Sequence, residues 1–141
     1  MKPAHELMAK FRVEELGLRE YRHWIVALRG KQITLGASVI LLKRAEPSMG
    51  ALTKREAAEF PEVAAWWQER VGLLWQPDRF NYIAAMMKDP FVHFHAIPRY
   101  AASREFNEQT YEDRSWPGLI EFVDLSTPPT DLVAIRAVLA T

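Results

Sequence analysis

The hydrophobic and polar positions divide the chain into extended and helical stretches. Pro3 to Phe11 reads as a short helix. Tyr21 to Leu28 is rich in β-branched and aromatic residues and stops at Arg29-Gly30, a turn signal, so it reads as a strand. Ser38 to Lys43 is a second strand, almost continuously apolar, as expected where both faces are covered. Pro47 to Gly50 breaks the chain, and Thr53 then precedes Glu56 at capping-box spacing. From there Ala57, Phe60, Ala64, Trp67, Val71 and Leu74 recur every three or four residues, which predicts a long helix ending at Gln76-Pro77-Asp78. Pro61 lies inside it and predicts a kink or a restart. Phe80 to Met87 and Phe91 to Ile97 form two more strands, joined by a turn at Lys88-Asp89-Pro90 as an antiparallel hairpin, the second stopped by Pro98-Arg99. Residues 101–128 read mostly as loop. A last helix, capped by Thr127 or Thr130, carries Leu132, Ile135 and Leu139 on one face.

One long helix over an antiparallel sheet is an α+β arrangement. With 141 residues and no repeat or linker, the chain reads as one domain. Residues 1–19 form an N-terminal arm and 119–141 a C-terminal extension. Adjacent Trp66 and Trp67 diverge by ~100° on a helix, so one of them is expected to meet another surface.

Composition narrows the chemistry. Lys+Arg and Asp+Glu are both 18, so the net charge is zero and no basic excess marks a nucleic-acid or membrane binder. No cysteine is present, which excludes disulfides, thiol nucleophiles and cysteine-held metals. The N-terminal residues lack a signal-peptide core, and the longest apolar run, Ala37 to Leu42, is far short of the ~20 residues a membrane span needs. A cytoplasmic protein is expected.

The informative residues are His93 and His95. Side chains alternate along a strand, so Phe91, His93 and His95 share one face while Val92, Phe94 and Ala96 point to the other, beneath the helix. Two imidazoles on one rigid surface, ~7 Å apart along the strand, suit a nucleophile and proton donor, a phosphate clamp, half of a metal site, or an exposed polar face. Zinc needs a third or fourth ligand, and Asp89 and Glu105 are the nearby carboxylates.

The segment FVHFHAIPRY, residues 91–100, resembles the signature of the histidine-triad family of nucleotide hydrolases and transferases, in which three histidines alternate with apolar residues, often before Pro-Arg. Asp78 to Tyr82, with Asn81, looks like the family's asparagine-bearing strand. Leu41 to Arg44 looks like its strand ending in a basic pair, and Leu52-Thr53 like the start of its helix. Asp113 to Gly118 resembles the Trp-Pro element of bacterial diadenosine-polyphosphate hydrolase-like members. The match spans roughly residues 20–118. It departs from the family where Phe91 replaces the first histidine, where Met86 to Pro90 replaces the usual polar loop, and at Ala45 after the basic pair.

The resemblance implies a sheet of about five strands and a homodimer. It makes His93 the nucleophile on the α-phosphorus of a nucleotide ester, anhydride or amidate, giving a nucleotidyl-imidazole that water cleaves. His95 then donates to a phosphate oxygen, and Asn81 orients the phosphate or its loop. Lys88, in the replaced loop, is a candidate to neutralise phosphate or protonate the leaving group, against a solvated turn lysine. Arg99 is a second candidate contact, against an ion pair. Phe91 either fills the place of the lost histidine or shapes the leaving-group side. An apolar cleft near Ile25 or Leu41 is expected for the nucleoside, and the chemistry needs no metal or cofactor. The alternatives are a nucleotide-binding protein of the same fold with little catalysis, and a His-x-His metal protein.

Overall fold

The two apolar runs near the N-terminus extend and pair, as their β-branched and aromatic content favours. In the computed structural model, which describes residues 1–141, two short helices, α1 (Glu6–Lys10) and α2 (Val13–Leu16), precede β1 (Gly17–Glu20), β2 (Trp24–Leu28) and β3 (Ser38–Leu42). A 3₁₀ turn (Met49–Ala51) leads into the long helix α3 (Lys54–Trp75), followed by β4 (Arg79–Ile83) and β5 (His93–Arg99). A small hairpin, β6 (Arg104–Phe106) and β7 (Gln109–Tyr111), and the helix α4 (Pro129–Leu139) complete the chain. Five strands form one antiparallel sheet in the order β1-β2-β3-β5-β4. The fold is α+β, with one long helix and a C-terminal helix.

Both faces of the sheet are covered, which explains why β2 and β3 are apolar at every position and buried throughout. On one face Trp24, Val26, Ile40, Leu42, Val92 and Ala96 pack against Val63, Trp67, Val71 and Trp75 of α3. Leu132, Ile135 and Leu139 of α4 join that core. On the other face Leu7, Met8 and Val13 lie over Ile25, Ala27, Val39 and Leu41. The two N-terminal helices are therefore a third layer, whereas β1 is an edge strand of the sheet itself.

The capping box is present: Thr53 Oγ1 accepts from Glu56 N at 3.1 Å, and Glu56 Oε1 accepts from Thr53 N at 2.8 Å. Arg44 donates to both Glu56 oxygens at 3.0 Å, tying the loop after β3 to the helix start. Chiefly through that bond, Arg44 holds the Glu56 carboxyl near 2, below its ordinary 4.5.

Several expectations are corrected. The helix runs without a restart through Pro61, whose ring is exposed; four buried residues beyond it, at 63, 67, 71 and 75, hold the continuation to the sheet. The buried stripe is thus centred on Val63 and Trp75, while Ala57 is exposed. The third strand ends at Ile83 because Met86 takes a positive φ of 45°. β5 continues through Pro98, where the register pairs Phe80 with Pro98 and Arg79 with Arg99. Residues 104–111 form a hairpin whose turn, Asn107 and Glu108, has φ of 51° and 64°. Neither threonine caps α4; the N-cap is Pro128, and Thr127 Oγ1 instead accepts from Gln32 N at 3.0 Å. Trp66 meets the Arg19 guanidinium of its own chain, 5.2 Å from the ring, while Trp67 is fully buried and donates to Ser38 Oγ at 3.1 Å.

Thr53→Ala removes half of the capping box and is expected to lower stability by ~1 kcal/mol in urea unfolding at pH 7. The ion pair adds an acid limb. Because the Glu56 pKa is depressed on folding, its contribution is complete above pH 4.5 and is lost as pH falls toward 2. Urea unfolding of Glu56→Gln across that window should show a flatter pH dependence than the parent.

Candidate active site

Register brings the histidines into rows with their neighbours. On β5, His93 stands beside Leu41 of β3, and His95 lies between Val39 of β3 and Ile83 of β4. Alternation then puts both imidazoles on the face away from α3, with ring centroids 5.1 Å apart and planes at 82°. Phe94, one residue out of phase, packs beneath with Phe60 at 4.6 Å and Trp24 at 6.0 Å.

His93 is buried, and its Nδ1 lies 2.7 Å from the Phe91 carbonyl oxygen. A carbonyl only accepts, so Nδ1 carries the proton and the lone pair sits on Nε2. The Phe91 side chain takes no part in that bond; its main chain alone sets the tautomer of the histidine two residues on. Its ring packs with the N-terminal apolar cluster and meets His5 edge-on at 5.0 Å. His5 in turn bonds the Leu42 carbonyl through Nε2 at 3.0 Å, a contact with no sequence signal.

His95 is half-buried and its Nδ1 has no partner. Burial, then the Arg29 and His93 charges, lower its pKa to about 4, so the ring is neutral at pH 7. Phe11 of the N-terminal layer approaches both imidazoles, with centroids at 5.7 Å from His93 and 6.0 Å from His95. Phe122 covers His95 from the other side at 4.9 Å. Ile25 and Leu41, expected to line an apolar cleft, are buried beneath Leu7 and Met8. Two cavities, of about 340 and 480 Å³, lie beside residues 109–128 and 124–132 respectively, and neither is lined by the histidines.

The other candidates divide. Lys88 is exposed in the loop between β4 and β5. Its neighbour Asp89 forms an ion pair with Lys10 of α1, which pins that loop to the N-terminal layer. Asn81 and Arg99 share the histidine face but engage each other, with Arg99 Nη1 donating to Asn81 Oδ1 at 2.8 Å. Arg99 is buried and also donates to Asp113 at 2.6 Å and to the Gly118 carbonyl at 2.7 Å, with Trp116 6.0 Å away. Arg99 thereby holds residues 113–118 on the sheet, the ion-pair alternative of the two weighed for it, and Asn81 is its partner. No three His, Asp or Glu side chains converge as metal ligands; Asp89 is paired with Lys10, and Glu105 lies on the separate hairpin.

Two residues went unnoticed in the sequence. Arg29 follows β2 in phase with Ile25 and Ala27, so strand alternation alone puts it on the histidine face. Its guanidinium lies 5.0 Å from the Phe122 ring. Phe122 itself lies in the apolar-rich stretch Leu119 to Leu125, outside any helix or strand.

No protein-family model matches the chain, and no curated protein matches it. Solved structures do match. A histidine triad protein from Marinobacter aquaeolei is similar with a TM-score of 0.74 and 19% identity, over 95% of this chain and 92% of that one. A zinc-bound histidine triad family protein from Mycobacterium smegmatis is similar with a TM-score of 0.63 and 15% identity, over 95% and 91%. The C. elegans NitFhit protein is similar with a TM-score of 0.65 and 20% identity over 89% of this chain, which spans 27% of that protein. The chain has the fold of the histidine-triad proteins. No helix is long and apolar enough to cross a membrane.

The electrostatics of His95 give a direct check. Its imidazole should titrate near pH 4 by NMR, and Arg29→Met should raise that midpoint by removing the nearby positive charge. A midpoint near 6.5 in the parent would contradict the buried, positively flanked ring described above.

Proposed function

We propose that the chain is a histidine-triad nucleotide phosphohydrolase or nucleotidyl transferase, acting at the α-phosphate of a dinucleoside polyphosphate or related nucleotide conjugate. The observation that carries this reading is the Phe91 carbonyl on His93 Nδ1, which leaves Nε2 unprotonated in a buried ring beside a second imidazole.

In this mechanism His93 Nε2 attacks the α-phosphorus. A P–N bond forms as the bond to the leaving group breaks, and the leaving group takes a proton from Lys88 or water. Water then attacks the same phosphorus, releasing the nucleoside monophosphate and restoring neutral His93. His95, neutral at pH 7, donates one N–H to a phosphate oxygen that gains charge in the transition state. Phe91 shapes the leaving-group side. Asn81 and Arg99 act at one remove, fixing the 113–118 segment. Phosphoryl chemistry of this kind rests on positioning and charge stabilisation, the roles this reading gives to the two histidines. The same reading carries a cytoplasmic setting and a homodimer, the latter checked by sedimentation equilibrium.

The runner-up, a binder with little catalysis, is favoured by Phe91 and by the aromatic cover over the histidines. Adenosine phosphoramidate and diadenosine tetraphosphate separate the two. The enzyme reading expects turnover of at least one, falling to background in His93→Ala and by roughly 10²–10³-fold in His95→Ala. Binding of both without turnover in the parent protein would establish the binder instead. Turnover that survives in His93→Ala would refute the nucleophile assignment.

A further inference from the structure

Arg29 is a cation held on the site face with no anion of its own. It follows the last residue of β2, and its N–H donates to the Ala37 carbonyl at 2.9 Å, extending the β2–β3 pairing by one rung. The row of His95 runs through Ala27 and Val39, and the adjoining row pairs Arg29 with Ala37. Ala27 and Ala37 are small and fully buried, so they leave room for a long side chain to lie across the sheet toward His95. Phe122 bridges the two groups, 5.0 Å from the Arg29 guanidinium and 4.9 Å from the His95 ring. Under this cover two buried atoms lack any partner, Arg29 Nη1 and His95 Nδ1.

The nearby carboxylates are already used. Asp124, two residues beyond Phe122, pairs with Lys31 at 2.5 Å, and Asp89 pairs with Lys10. Arg29 forms no ion pair. Burial lowers its pKa to about 10, which still leaves it charged at pH 7. Arg29 is half-buried with Nη1 shielded from solvent, and a guanidinium nitrogen so placed without an anion is a cost to the fold. Two unsatisfied polar atoms flanking one aromatic ring, one of them on a permanent cation, match the needs of an oxyanion, which accepts from both.

We infer that Arg29 and His95 form an oxyanion receptor covered by Phe122, and that Arg29 selects ligands bearing a phosphate group at this position. The inference rests on the nucleotide reading for the identity of the ligand but not for the existence of the receptor. The phosphate is either the one His93 attacks or a second one on the same ligand.

Calorimetric binding to the parent, Arg29→Met and Arg29→Lys resolves these cases, using adenosine, AMP, adenosine 3′,5′-bisphosphate and inorganic pyrophosphate. Arg29→Met should weaken binding of the phosphate-bearing probes at least tenfold, with Arg29→Lys recovering part of it and adenosine changing less than twofold. Dependence on Arg29 already seen with AMP assigns the attacked phosphate. Dependence seen only with the bisphosphate assigns a second one. If no nucleoside or nucleotide binds but pyrophosphate does, and only with Arg29, the receptor stands while the nucleotide reading falls. Thermal melting separates a receptor from a structural arginine. Without ligand, Arg29→Met should melt at or above the parent temperature, and pyrophosphate should raise the melting temperature of the parent only. Phe122→Ala should keep the phosphate dependence while opening the site. Equal pyrophosphate and nucleotide affinities in parent and Arg29→Met, or a lower melting temperature for ligand-free Arg29→Met, would overturn the proposal.

Discussion

The hydrogen bond from His93 Nδ1 to the Phe91 carbonyl is the contact on which the proposed chemistry turns. At 2.7 Å it joins the first residue of β5 to the carbonyl two residues before it, in the segment that leads into the strand. It therefore depends on backbone path rather than on the identity of residue 91. A phenylalanine can replace a histidine there and the next imidazole still presents Nε2 as its basic nitrogen. The bond needs a rigid frame, which β5 provides through pairing with β3 on one side and β4 on the other.

That frame is built from two opposed layers. The α3 layer anchors Phe94 and Ala96, so the intervening histidines must face the other way. The N-terminal helices cover much of that second face but leave the histidines at the edge of their apolar patch, where Phe11 meets both rings. The result is a desolvated imidazole pair with a positive group nearby, a setting that keeps His95 neutral and favours an incoming anion. The Arg99–Asp113 pair serves a different end. It clamps the 113–118 segment to the sheet, and the chain beyond it brings Phe122 back over the site.

Much of this was legible in the residue pattern. The period-two alternation at 91–97 gave the facing of both histidines, and Thr53 with Glu56 gave the start of the long helix. The near-continuous apolar run in β3 implied two covered faces, although not that the N-terminal residues supply the second cover. What the pattern hid has physical reasons. The hairpin at 104–111 turns on Asn107 and Glu108 in left-handed conformations, without the glycine that marks such turns. Pro61 costs one helical hydrogen bond, and packing at Trp67, Val71 and Trp75 outweighs it. Arg99 looked free because its partner, Asp113, is distant in sequence and lies in a stretch read as loop. Arg29 was overlooked because it follows a strand end and reads as part of a turn, although its phase with Ala27 was available.

The central claim is that His93 Nε2 is the atom that meets phosphorus. A crystal structure with a bound nucleoside monophosphate tests it most directly. The account requires the phosphorus to lie within ~3.5 Å of Nε2, roughly in line with it, while Nδ1 keeps its bond to the Phe91 carbonyl. A phosphate seated away from that nitrogen, or a His93 ring turned so that Nε2 no longer faces it, would contradict the account.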